Sequence, residues 1–241
     1  MPLTSSEPDH FQRFQRSLNR PDLIEFLRDG LIGEGAEIPG LNGPNPLIYA
    51  DYVASGRALR QIETFIMDEI LPYYANSHTE ASFCGQMMTS LRQQARKIIL
   101  NSCGGDEQHE VIFAGSGSTA GINRLVKLLD VINSDRTGAD AKKQKTAVLV
   151  GPYEHHSNIL PWRETGADVI EIPEASEGGP DIAILESVLK SNGAHRLIGA
   201  FSAMSNVTGI VTDVKKVTRL LKANGAISIW DFAGGAPYLP I

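Results

Sequence analysis

The chain has 241 residues, 42% of them hydrophobic, and a formal net charge of −6. That composition can fill a sizeable core, which excludes global disorder, and the acidic balance without a long basic run argues against nucleic acid as the main partner. No stretch reaches the length of a membrane span, residues 1–7 lack the basic and apolar regions of a signal peptide, and two cysteines, Cys84 and Cys103, fit a reducing cytoplasm better than a disulfide framework.

Residues 1 to about 20 are polar and read as a mobile arm. Residues 21–28 predict a short helix, with Asn19 placed to cap it and Gly30 to stop it. The Gly- and Pro-rich residues 33–46 read as a linker, so the expected division is 1–46 as arm, helix and linker, then 47–241 as one domain. Residues 47–50 form a strand-like run. Leu59, Ile62, Phe65, Ile66 and Ile70 recur with a helical period closed by Pro72, and Met87, Leu91, Ala95 and Ile98 mark a second helix. A strand is predicted at 111–113, a turn at 115–119, and then a helix with Ile122, Leu125, Val126 and Leu129 on one face. Strands at 146–150, 168–172, 196–203 and 226–230 then alternate with helices marked by Leu185 and Leu189 and by Val217 and Leu221. Such alternation predicts an α/β fold of three layers, α/β/α, around a mostly parallel sheet.

Ligands of such folds bind outside the carboxyl ends of the strands, where four short motifs fall. In Gly115-Ser116-Gly117-Ser118-Thr119 small residues open a helix, whose free N–H groups and positive dipole end suit a phosphate. The bland reading is an ordinary helix start. The loop also fits G-x-G-x-x-A, but no acid follows the next strand for a dinucleotide ribose. Glu154-His155-His156 could stack on a flat cofactor, move a proton, or bind metal with Asp231. Neighbouring histidines seldom share one ion, and no H-E-x-x-H or C-x-x-C pattern supports a metal. Asn206, in Ser205-Asn206-Val207-Thr208-Gly209, could contact a ligand oxygen or simply close a turn. Asp231 ends an apolar strand, where a carboxylate is costly unless something positive or hydrogen-bonding meets it.

Taken in order, these pieces resemble the class V aminotransferase and cysteine desulfurase group of fold-type I pyridoxal phosphate (PLP) enzymes. Asp51-Tyr52-Val53-Ala54-Ser55 resembles D-N-A-A-T, and Asn76-Ser77-His78 resembles N-x-H. The stretch from Glu110 through Gly115-Ser116-Gly117-Ser118-Thr119 to Asn123 is similar to E-V-I-F-T-x-G-A-T-E-G-I-N. Glu154-His155-His156-Ser157-Asn158 with Pro161-Trp162 resembles E-H-H-x-N-x-x-P-W; Asn206-Val207-Thr208-Gly209 resembles N-V-x-G, and Asp231-Phe232-Ala233 resembles D-x-A. The resemblance runs from about residue 48 to the last residue. It implies that His155 and Asp231 are catalytic, with His155 on one face of the pyridine ring, Ala233 on the other, and Asp231 on the ring nitrogen. Gly117, Ser118 and Thr119 would hold the phosphate. Asn206 would contact the ring hydroxyl or the substrate carboxylate, and Ala54, Ser55 and His78 would lie near an amino-acid substrate.

The family's Schiff-base lysine lies in S-x-H-K, a short distance after D-x-A, and no such motif occurs in these residues. The expectation is therefore the N-terminal part of a PLP transferase large domain, incomplete at its C-terminal end, inactive as this chain, and a cytoplasmic homodimer at full length. Two other readings stay open: a metal-dependent hydrolase using His155, His156 and Asp231, and a non-catalytic binding module on the same fold.

Overall fold

The structure, a computed structural model, describes residues 10–78, 81–129, 145–192 and 196–241. The chain divides into two units, Met1–Val111 and Ile112–Ile241.

The first unit is helical with one small hairpin. It runs α1 (His10–Ser17), α2 (Leu23–Asp29), β1 (Glu37–Ile38), β2 (Asn45–Pro46), α3 (Arg60–Phe65) and α4 (Phe83–Ser102). Part of the predicted arm is thus ordered. α1 lies against α3 through Phe11 and Phe14 on Phe65, with the Phe14 and Phe65 rings 4.7 Å apart, and His10 bonds Glu69 at 2.8 Å. α2 starts after Asp22 rather than at Asn19, and Gly30 caps its end. The predicted linker contains the antiparallel pair β1 and β2. Residues 47–50 are not a strand; Ile48 is exposed. The helix from Arg60 widens into a π-turn at Ile66–Ile70 and tightens into a 3-10 turn at Leu71–Tyr73, where Pro72 stops it. Ser82 caps α4 by accepting a bond from the Gly85 N–H at 3.1 Å.

The second unit runs α5 (Gly117–Leu128), β3 (Thr146–Val150), α6 (His156–Arg163), β4 (Asp168–Glu171), α7 (Ile182–Ser191), β5 (Arg196–Ser202), α8 (Val214–Ala223) and β6 (Ile227–Asp231). The four strands form one parallel sheet in the order β4-β3-β5-β6, with Val150 opposite Ala200 and Ser202 opposite Asp231. Residues 111–113, expected as a strand, are not one, and Ile112 and Phe113 are exposed.

Side chains alternate across the sheet with period two, and each set has its own core. Ala147, Leu149, Leu197 and Phe201 pack with Leu185 and Leu189 of α7 and Val217 and Leu221 of α8. Val148, Val150, Ile198 and Ala200 face the other way, toward Ile122 and Val126 of α5 and Trp162 of α6. All five residues of β3 are buried, which explains why that strand reads as an unbroken apolar run. These two cores are the three predicted layers. Asp181 and Asp213 start α7 and α8, their carboxylates accepting from the Ile184 and Lys216 N–H groups at 3.0 and 2.9 Å.

Candidate functional site

Strands β3, β5 and β6 point their carboxyl ends the same way, so the loops that follow them meet at one edge of the second unit. There a cavity of ≈ 380 Å³ is lined by Ser118, Gly121 and Ile122 of α5, Asn158 of α6, and Asp231, Phe232 and Ala233 after β6. Its lining is mostly apolar with a few polar groups, the usual character of a small-molecule site. Ser118 belongs to the first turn of α5, where backbone N–H groups have no partner within the helix. Gly115 and Gly117 have φ of 103° and 76°, a turn that a side chain would strain, and it is this turn that leads the chain into α5. Asp231 is half-buried and its Oδ1 accepts from the Ala233 N–H at 2.8 Å, which curls the chain over the end of β6.

The structure thus brings together Ser118, Asp231 and Ala233 from the sequence-predicted set. Gly117 and Thr119 flank Ser118 on the same turn but do not line the cavity. Asn206 sits on an exposed turn after β5, built by Ser205 Oγ accepting from the N–H groups of Val207 and Thr208 at 3.3 and 3.1 Å. His155 is exposed at the start of α6. Its Nδ1 accepts from the Ser157 N–H at 3.3 Å and bonds Ser157 Oγ at 2.8 Å, which places the neutral ring's proton on Nε2. The His156 ring lies over it, centroids 3.8 Å apart. Among the described residues no group of three or more His, Cys, Asp or Glu is gathered as a metal site. Every described lysine is exposed and none lines the cavity; Lys142 and Lys143 lie outside the described residues.

Ala54, Ser55 and His78 belong to the first unit. The Ala54 N–H bonds Asp51 Oδ1 at 3.2 Å and the Tyr49 hydroxyl donates to the Ser55 carbonyl at 2.6 Å, folding residues 49–55 into a tight turn. His78 has φ of 91°, a left-handed conformation uncommon outside glycine that recurs at functional sites. Its N–H bonds Thr89 Oγ1 at 3.2 Å. A larger cavity, ≈ 530 Å³, lies among α1, α2 and α3 and is lined by Phe14, Phe26, Phe65 and Gln61, but it includes none of these residues.

Glu154 makes side-chain contacts that the sequence does not reveal. Its carboxylate bridges the ends of β3 and β5 and the start of α6. Oε1 accepts from the N–H groups of Ser202 (2.7 Å) and Gly151 (3.3 Å). Oε2 accepts from Ser202 Oγ (2.7 Å) and Asn158 Nδ2 (2.6 Å). Burial pushes the carboxyl above the usual carboxylate range, and the bonds from Ser202, Asn158 and Gly151 pull it back only in part. A side chain at Gly151 would place its Cβ 2.8 Å from Glu154 Oε1, so only glycine admits this carboxylate.

The chain belongs to the class-V aminotransferase family, whose profile matches residues 48–241. It is 28% identical over 205 residues to a probable cysteine desulfurase of Halalkalibacterium halodurans, covering 83% of this chain and 47% of the relative. It is 29% identical over 212 residues to a probable cysteine desulfurase of Vibrio cholerae, covering 83% and 48%. Among solved structures it is similar to the apo cysteine desulfurase of Thermococcus onnurineus, with a TM-score of 0.70 at 24% identity over 90% of this chain and 49% of that one. A NifS-like protein of Rickettsia africae superimposes with a TM-score of 0.67 at 20% identity, covering 81% and 50%. The chain spans about half the length of these relatives, and the structural likeness bears out the α/β/α fold with its parallel sheet.

Proposed function

We propose that the second unit holds the cofactor side of a PLP-dependent enzyme of the cysteine desulfurase type, acting on an amino acid. The observation that carries this is the cavity joining Ser118, at a helix start, to Asp231 and Ala233, at a strand end. A phosphate acceptor and a carboxylate on one cavity with an apolar floor suit a flat, phosphorylated, nitrogen-containing ring. The first turn of α5, through Gly117, Ser118 and Thr119, would hold the phosphate. Asp231 would keep a proton on the ring nitrogen, with Ala233 against one ring face and His155 against the other. Asn206 would meet the ring hydroxyl or the substrate carboxylate, and Ala54, Ser55 and His78 would face the substrate. Bound there, the group supplies an electron-withdrawing ring that stabilises negative charge at a substrate carbon. The family match from residue 48 supports treating 47–241 as the large-domain portion and 1–46 as a leading segment. We extend the same reading to a cytoplasmic homodimer for the whole protein.

With no S-x-H-K lysine in the 241 residues, uptake by this chain is expected to be non-covalent and its turnover absent. The test is equilibrium dialysis of PLP against the purified chain, followed by borohydride. Saturable uptake, weakened by Ser118→Ala and Asp231→Asn and leaving no fixed adduct, is the expected result. A borohydride-fixed adduct on an exposed lysine refutes the non-covalent reading, and no uptake favours a binding module with another ligand. The metal-dependent alternative requires His155, His156 and Asp231 to converge, and no group of three or more His, Cys, Asp or Glu is gathered among the described residues.

A further inference from the structure

We propose that Glu154 is the positioning residue of this site, held by a one-way hydrogen-bond relay in which its side chain accepts. The relay begins at Trp162, fully buried in α6, whose indole nitrogen can only donate. Its Nε1–H faces Asn158 Oδ1 at 3.4 Å. That fixes the Asn158 amide, also fully buried, with Nδ2 turned toward Glu154 Oε2 at 2.6 Å. Ser202 Oγ reaches the same oxygen at 2.7 Å, while Oε1 takes two backbone N–H groups. Every neighbour of the Glu154 side chain is therefore arranged as a donor, and the side chain is required to accept on both oxygens.

What this anchors is the presentation of His155 and of the cavity wall. His155 is the next residue in the chain, and its carbonyl accepts from the Asn158 N–H at 2.8 Å, so the relay and the start of α6 share Asn158. Asn158 also lines the cavity with Ser118 and Asp231. Glu154 does not line the cavity. It sets where β3, β5 and α6 place its wall and His155. This inference rests on the PLP reading for its consequence but not for its geometry.

The isosteric Glu154→Gln replaces one acceptor by a donor. The introduced NH2 would point at Asn158 Nδ2, and relief by turning the Asn158 amide would set its NH2 against the Trp162 N–H. Trp162→Phe removes that last donor and frees Asn158 to turn. The experiment compares the 15N imidazole spectrum of His155 and PLP uptake by dialysis in the wild type, Glu154→Gln, Trp162→Phe and the double variant. A fifth chain, Gly199→Ala, serves as a control for destabilisation within the sheet. Glu154→Gln is expected to displace the His155 resonances and weaken PLP uptake about tenfold, the loss of one hydrogen bond. The double variant should recover part of both losses, and Gly199→Ala should change neither. Unchanged His155 resonances in Glu154→Gln, or strictly additive losses in the double variant, overturn the proposal. If Glu154→Gln does not fold, Ser202→Ala, which removes one donor, takes its place, and unchanged His155 resonances in it overturn the proposal. If the wild type takes up no PLP, the proposed function fails while the His155 spectrum still decides the role of Glu154.

Discussion

Gly199 lies in the middle of β5, a strand paired on both sides. A Cβ built there would stand 2.6 Å from both Cδ atoms of Leu221 and 3.1 Å from Cε2 of Phe201. Leu221 and Phe201 are 0% and 1% exposed, so neither can swing into open space. Overpacking of this kind costs about 1–3 kcal/mol, and alanine returns about 0.5–1 kcal/mol of strand preference over glycine. Gly199→Ala should therefore destabilise the second unit by about 1–2 kcal/mol, seen as a melting point roughly 3–8 °C lower. Urea denaturation followed by far-UV circular dichroism measures it. Trimming the obstruction with Leu221→Val should make the double variant more stable than the sum of the two single changes. An unchanged urea midpoint in Gly199→Ala, or additivity in the double variant, would refute close approach of α8 to the sheet at this point.

Other expectations follow from the same packing. Glu154 has its carboxyl raised by burial, so the folded state keeps its proton to higher pH than the unfolded chain. Its contribution is therefore fully present below the ordinary carboxylate range and declines as pH rises through the raised value. The stability difference between wild type and Glu154→Gln should shrink across that window in urea titrations, and a difference that grows with pH contradicts the burial argument. Asp181→Ala and Asp213→Ala each remove a helix cap and should cost about 1 kcal/mol, adding nearly independently in the pair. Ser157→Ala takes a partner from His155 Nδ1 and should raise the fraction of ring carrying its proton there, read from imidazole 15N shifts; an unchanged tautomer ratio counts against the Ser157 contact.

The second unit was largely legible in the sequence because its cores repeat with simple periods. Val217 and Leu221, or Leu185 and Leu189, lie four apart and face one core, and residues 147–150 of β3 are apolar because both faces of that strand are covered. The failures have physical causes. α6 carries Pro161 and buries Ser157 and Asn158 alongside Trp162, so it shows no apolar stripe. Residues 47–50 and 111–113 have the composition of strands, but a strand exists only when paired, and pairing is not a local property. The arm was read as mobile because α1 has only two aromatic residues, Phe11 and Phe14, and their partner Phe65 is far along the chain. Of the candidate site, Ser118, Asp231 and Ala233 came together as strand-end logic predicts. Glu154 was missed in its true role since its partner Ser202 is 48 residues away. A carboxylate at a strand end needs partners, and that holds for Glu154 as it does for Asp231.

The two walls of the cavity rest on strands of unequal standing. β3, which leads to Glu154 and Asn158, is wholly buried between paired neighbours, whereas β6, which carries Asp231, has no described strand on its outer side and is only half-covered. Amides of β3 should exchange with solvent only when the whole unit opens, and those of β6 through smaller, more frequent openings. Part of a ligand's binding free energy would then go into quieting the Asp231 wall. Slowed exchange confined to β6 would report occupancy even where the resting structure scarcely changes.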